Sequence, residues 1–223
     1  MCGRYTLASA PEVLAEQFGL AEAPSGLAPR YNIAPGQTVA AVRAGAGDAR
    51  VLDSLHWGLI PAWAKDPTIG RRLINARVET LAVKPAFRDA LRHRRCLLPA
   101  DGFYEWQRRD GVKQPHWIAR ADRRPFGLAG LWERWRDAQG EIVESCTIVT
   151  TQAGPVLRDV HERMPLIVPA EHYARWLDPG RADARALLAL LGAGDWRELQ
   201  AQPVSLAVNN PRRDEPNLIQ ALT

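Results

Sequence analysis

Between residues 95 and 151 the chain reads as short apolar runs separated by turns, the pattern of successive β-strands. The expected strands are 96–99, 103–106, 115–119, 127–135 and 142–151. Upstream, 38–43 and 50–55 form another pair, joined by the Gly45-Ala46-Gly47-Asp48 turn. Helical signals lie toward the two ends. Ser9-Ala10-Pro11-Glu12 reads as a capping box opening a helix through Phe18, stopped at Gly19. Further helices are expected at 85–94, 169–177 and 182–191, the last ended by Gly192. A helical turn at 195–199 and a closing strand at 204–208 complete the pattern. Two stretches resist both periods: Arg30-Tyr31-Asn32-Ile33-Ala34-Pro35, read as an ordered loop, and the Gly/Pro-broken aromatic run His56 to Trp63. Asn75-Ala76-Arg77-Val78-Glu79-Thr80 leads into helical turns. Strands dominate without βαβ alternation, so the expected class is α+β, with mostly antiparallel strands and short flanking helices.

Length and composition narrow the picture. The 223 residues suit one large domain, and no linker divides them, so one domain over 1–223 is expected. Hydrophobic residues at 46% and charged residues at 24% match a soluble globular protein. No apolar run approaches the ~20 residues of a membrane span, and the polar start lacks a signal-peptide core. A cytoplasmic location is therefore expected, at the nucleoid when DNA is bound. Cys2, Cys96 and Cys146 are far apart without C-x-x-C spacing, which argues against disulfides and zinc. H-E-x-x-H, phosphate-loop, dinucleotide-glycine and G-x-S-x-G patterns are all missing, so no metal or cofactor is expected.

A net charge of +4 permits a polyanionic partner. Of 29 basic residues only Lys65, Lys84 and Lys113 are lysine. Arginine forks onto phosphate and stacks on bases better than lysine, although GC-rich coding also enriches it. Eight tryptophans offer stacking surfaces if any are exposed beside arginines.

Candidate chemistry starts at Met1-Cys2-Gly3-Arg4. Removal of Met1 would give Cys2 an α-amine, pKa near ~7.7–8.0, beside a thiol near ~8.5. That pair suits an aldehyde: the amine forms a Schiff base and the thiol closes a five-membered thiazolidine. The plainer alternative is a small buried hydrophobe. Glu105, inside Gly102-Phe103-Tyr104-Glu105-Trp106, is a carboxylate among aromatics, where desolvation raises a pKa toward proton transfer; it is equally a strand glutamate facing water. His161, in His161-Glu162-Arg163-Met164-Pro165, can shuttle protons at neutral pH, or be structural. Asn75 can orient a nucleophile, or cap a helix.

Jointly these motifs resemble one family. Met-Cys-Gly-Arg, Arg30 to Pro35, Trp57-Gly-Leu-Ile-Pro, Ile74-Asn-Ala-Arg-Val-Glu-Thr, Arg95-Cys-Leu-Leu-Pro-Ala-Asp-Gly-Phe-Tyr-Glu-Trp and His161-Glu-Arg-Met-Pro occur in the order of the SOS response-associated peptidase family. The resemblance runs from Cys2 to about Ile219. It implies a β-rich α+β domain with barrel-like sheets and a positively charged channel. It implies covalent attachment to abasic sites in single-stranded DNA during the response to DNA damage. By motif, Cys2 is the nucleophile, Asn75 orients it, Glu105 is the acid/base, and His161 assists sugar-ring opening and Schiff-base chemistry. Arg4, Asn32, Arg77 and Arg163 fall on DNA-contacting positions, and Trp63 and Trp106 on stacking or wedging ones. Trp63-Ala64 departs from relatives with paired tryptophans, which implies a weaker wedge. The partner is abasic single-stranded DNA, with no membrane partner and a monomer as the expected state. The peptidase activity is read narrowly, as loss of Met1 through the protein's own site or a housekeeping aminopeptidase.

Two other readings stay open on sequence. Amidotransferases with an N-terminal nucleophile also begin Met-Cys-Gly, though their later segments have no counterpart here. A non-covalent reader of modified or single-stranded DNA would use the same arginines and tryptophans.

Overall fold

A computed structural model describes residues 2–47, 49–109, 111–180, 183, 186–188 and 198–222. The chain opens with β1 (Tyr5–Leu7), α1 (Pro11–Phe18), β2 (Arg30–Ile33), β3 (Thr38–Ala44), β4 (Arg50–Trp57) and the short β5 (Asn75–Arg77). After α2 (Arg88–His93) come β6 (Arg95–Ala100), β7 (Gly102–Arg109), β8 (Val112–Arg120), β9 (Phe126–Arg136) and β10 (Ile142–Gln152). The last part holds β11 (Arg163–Pro165), β12 (Ile167–Val168), α3 (Tyr173–Leu177) and β13 (Leu199–Pro203).

Five strands close on themselves. Strand β10 pairs with β4, β4 with β3, β3 with β6, β6 with β9, and β9 returns to β10. The circuit is a five-stranded barrel, and closure removes edges that would otherwise recruit other strands. All its pairings are antiparallel except β4 with β10. Strands β5 and β11 extend the barrel beside β10, and β12 extends it beside β9. A second sheet has the order β13-β8-β7-β1-β2. One of its faces contributes Tyr5 and Phe103 to the same core as Trp57, Leu97 and Ile148. Tyr5 and Trp57 meet edge-on, 5.4 Å between ring centroids. The opposite face packs Tyr104 and Trp117 against Val204, Val208 and Leu218 of the C-terminal segment.

The fold is the β-rich α+β class expected, and the expected central strands all form. Several local expectations are corrected. Ser9 does not cap α1: its hydroxyl donates to Asp101, so Ala10 becomes the N-cap with no side-chain bond. The C-terminal stop is as expected, with Gly19 left-handed at φ 63°. Residues 30–33 form a strand rather than a loop, because β1 supplies an antiparallel partner. The helix expected over 85–94 is only α2, entered by a turn, and 169–177 divides into a 3-10 turn and α3. The closing strand lies at β13; Ser205 caps a 3-10 turn, Leu206–Asn209, and stops the strand before it reaches 208. The helix expected at 182–191, its stop at Gly192 and the turn at 195–199 lie largely outside the described residues. No helix among the described residues is long and apolar enough to cross a membrane.

Two details explain residues that look functional in sequence. Gly58 (φ 139°) and Gly70 touch backbone to backbone; a Cβ on Gly58 would lie 2.9 Å from the Gly70 carbonyl oxygen. That contact shapes the loop after Trp57. Arg95 is buried, and its guanidinium donates to the carbonyls of Leu91, Arg92, Trp176 and Asp178. These are carbonyls at the C-terminal ends of α2 and α3, where a cation is favoured. Arg95 therefore holds two helices to the barrel.

Candidate active site

Cys2 begins where β1 meets β7. The Arg4 carbonyl accepts from Tyr104 N–H at 2.9 Å, and Tyr5 lies opposite Phe103, which brings the start of the chain alongside Glu105. Alternation along β7 turns Phe103 and Glu105 to one face and Tyr104 to the other. Cys2 is fully buried, and its Sγ lies 3.8 Å from the Arg4 carbonyl oxygen. Burial and then the neighbouring Glu105 push its thiol far above the ordinary range, so the thiol is neutral.

Asn75 reaches the same place from the barrel. Strand β5 runs parallel to β10, with Ala76 in the core and Asn75 and Arg77 on the alternate face. Asn75 Nδ2 donates to the Cys2 carbonyl at 2.8 Å. Its Oδ1 is buried, with no hydrogen-bond partner among the described residues. An unsatisfied buried acceptor is costly and is kept at few places in a fold.

Glu105 is only 3% exposed, and desolvation raises its pKa, opposed in part by the N-terminal amine and then by His161. His161 follows a 3-10 turn and precedes β11, and its Nδ1 accepts the Arg163 backbone N–H at 2.9 Å. Glu105 and His161 line one cleft of about 440 Å³, together with Trp106, Arg108, Lys113 and Asn209. Cys2, Asn75, Glu105 and His161 thus form one constellation, with a neutral thiol, an oriented backbone and two groups able to move protons.

The residues expected to contact DNA divide into two sorts. Arg77 is exposed at the end of β5, and Trp63 is 59% exposed on a turn that Ala64 anchors by accepting from Trp135. Trp106 is half-buried in the cleft wall, its Nε1 donating to Asn209 Oδ1 at 2.8 Å. The others are committed within the fold. Arg4 donates to Asn32 Oδ1 at 2.8 Å and to the Val208 carbonyl at 2.7 Å. Asn32, 1% exposed, spreads its Nδ2 over the carbonyls of Val208, Asn210 and Arg213. Arg163, 9% exposed, grips Glu79 at 2.5 and 3.1 Å and the Thr150 carbonyl at 2.7 Å. The pairing holds the Glu79 carboxyl below its ordinary range. Sequence reading missed Arg108, Lys113 and Asn209. The first two flank the β-turn at Gly111, a signal available in the sequence; Asn209 sits in a turn that reads as the end of a strand.

A larger cleft, about 660 Å³, is lined by Thr6, Asp101, Trp117 and Arg123 among others, and includes none of the four constellation residues. Among the described residues, no three His, Cys, Asp or Glu side chains gather to hold a metal.

A model of the SOS response associated peptidase (SRAP) family matches residues 1–211. The chain belongs to the SRAP family. Its curated SRAP relatives include abasic site processing protein YoqW of Bacillus subtilis, 42% identical over 99% of this chain and 100% of that one. Abasic site processing protein YedK of Escherichia coli is 35% identical over 76% of this chain and 74% of its own length. Abasic site processing protein HMCES of Xenopus tropicalis is 32% identical over 78% of this chain and 58% of its own. Among solved structures, a Bacteroides thetaiotaomicron protein superposes with a TM-score of 0.87 at 25% identity, covering all of both chains. A Bordetella bronchiseptica protein gives 0.79 at 31% identity, over 92% of this chain and all of that one.

Proposed function

We propose that the protein condenses with the ring-opened aldehyde of an abasic site in single-stranded DNA, through Cys2 freed of Met1. The observation that carries this reading is the meeting of Cys2 with Asn75, Glu105 and His161. The Cys2 α-amine adds to the aldehyde carbon, and the carbonyl oxygen takes a proton to give a hemiaminal. Loss of water leaves an imine. The thiol then adds across the C=N bond: sulfur bonds to carbon, and its proton ends on nitrogen. One water is released overall, and the product is a thiazolidine.

The raised pKa of Glu105 suits it to protonate the departing hydroxyl and to relay the thiol proton. Asn75 fixes the Cys2 backbone and offers its buried Oδ1 as an acceptor beside it. His161 serves ring opening, in which the C1′ hydroxyl gives up a proton and the ring oxygen gains one. The neutral thiol explains why the amine goes first. Unpaired DNA brings the sugar to this buried end without the cost of flipping a nucleotide from a duplex. Arg77 meets the backbone, Trp63 and Trp106 stack on bases, and Arg4, Asn32 and Arg163 hold the elements that shape the cleft.

The test is a single-stranded oligonucleotide bearing one abasic site, run on a denaturing gel after incubation. The protein is expected to migrate with the DNA; complete release would leave a non-covalent reader, and ammonia release from glutamine would favour an amidotransferase. The DNA path makes its own prediction. Initial affinity for single-stranded DNA should fall with rising salt, the slope of log affinity on log salt being about 0.7 per neutralised phosphate. Arg77→Ala should flatten that slope by about one such increment and weaken every sequence alike. An unchanged slope would remove Arg77 from the path.

A further inference from the structure

The Trp106 indole is a donor with no lone pair in the ring plane, so the Asn209 atom 2.8 Å from its Nε1 is fixed as the oxygen. The Nδ2 amide must then point its two N–H groups elsewhere, on a residue that lines the cleft of Glu105 and His161. The backbone beneath it is held in advance. Val208 is buried, its carbonyl accepts from Arg4 and Asn32, and Arg4 Nη2 reaches the Asn209 carbonyl at 3.5 Å. Ser205 caps the turn that Asn209 ends. A donor fixed by its neighbours contributes more to recognition than one that must be ordered on binding.

Arg108 and Lys113 face each other across the β7–β8 hairpin and are exposed on the rim of the same cleft. Two cations and one neutral donor thus line one cleft, and the carboxyl that lines it with them, Glu105, is buried with a pKa raised above its ordinary value. That is the complement of a singly charged tetrahedral anion carried on a larger molecule. We propose that Asn209, with Arg108 and Lys113, forms a phosphate subsite for a phosphodiester that flanks the lesion, an assignment that rests on the covalent reading above. The phosphate would seat the sugar with its aldehyde carbon toward Cys2.

Asn209→Asp separates this role from support of Trp106. It keeps an oxygen for the indole and exchanges the donor for a charged acceptor. The probes are single-stranded oligonucleotides carrying a stable tetrahydrofuran abasic analogue, with either flanking linkage native or replaced by an uncharged methylphosphonate. Wild type is expected to lose roughly 10- to 100-fold in affinity when one of the two linkages is neutralised. Asn209→Asp should lose as much on the native strand and lose no more on the neutralised one. The inference is overturned if Asn209→Asp binds the native strand like wild type, or if each neutralised linkage costs both proteins the same factor. Because the analogue cannot form an imine, these affinities report the subsite even if wild type fails to attach to true abasic DNA, which would sink the covalent reading instead.

Discussion

Glu105→Gln is expected to slow adduct formation by roughly 10²–10⁴-fold while affinity for the tetrahydrofuran analogue stays near wild type. Glutamine keeps the shape and the hydrogen-bonding length of the side chain but cannot exchange a proton. The same variant should change stability with pH in a definite sense. Burial raises the Glu105 pKa above its ordinary value. At about pH 4 the carboxyl is largely protonated in both the folded and unfolded chain, and its burial costs little. As pH rises past the ordinary carboxylate range, the unfolded chain ionises first, and the folded state loses stability until its own group ionises. Glutamine lacks this cost, so the melting temperature of Glu105→Gln minus that of wild type should grow as pH rises above about 4. A difference that is flat with pH would mean that Glu105 is not held toward its neutral form.

Changes at Cys2 should have the largest effect of all. Cys2→Ser keeps the α-amine and loses the thiol, so it should form only an imine, trapped by borohydride and otherwise lost on heating. One residue inserted between Met1 and Cys2 does the reverse, leaving a thiol whose own nitrogen is tied into a peptide bond. Heat-stable adduct should fall to background in both. The buried, neutral thiol argues for the same outcome, since alone it gives at most a reversible hemithioacetal. Full yield of heat-stable adduct from the insertion would end the aminothiol mechanism.

Much of this arrangement is legible in the sequence. The strands between 95 and 151 follow from apolar runs and turns, and Gly19 stops α1 as its left-handed φ requires. Cys2, Asn75, Glu105 and His161 stand out as residue types, and the family motifs link them across 160 positions of sequence. What periodicity does not carry is which strands become neighbours. Barrel closure depends on β9 returning to β10 and on the parallel pairing of β4 with β10, contacts between segments far apart in the chain. The strand at 30–33 was hidden for the same reason, since β1 creates it. Ser9 shows local chemistry overruled by a distant partner: Asp101, more than ninety residues away, takes the hydroxyl that the capping pattern would use.

The site shows a similar limit. Arginine and asparagine read as DNA contacts when only their type and position are known. In the fold, Asn32 and Arg163 are spent on carbonyls and on Glu79, while Arg77 and Trp63 stand open. Exposure is a property of the assembled chain, and it divides one list of candidates into buried residues and open ones. Asn209 was invisible because its significance lies in one bond to Trp106, which fixes the direction of its amide.

The most direct measurement is the mass of the purified adduct between the wild-type protein and a single-stranded abasic oligonucleotide, followed by mapping of the attached peptide. The account predicts the protein without Met1 plus the oligonucleotide minus one water, with the DNA remnant on Cys2 and neither its thiol nor its amine free to react. An adduct that retains Met1, or one mapped to Lys113 or any other side chain, would contradict it.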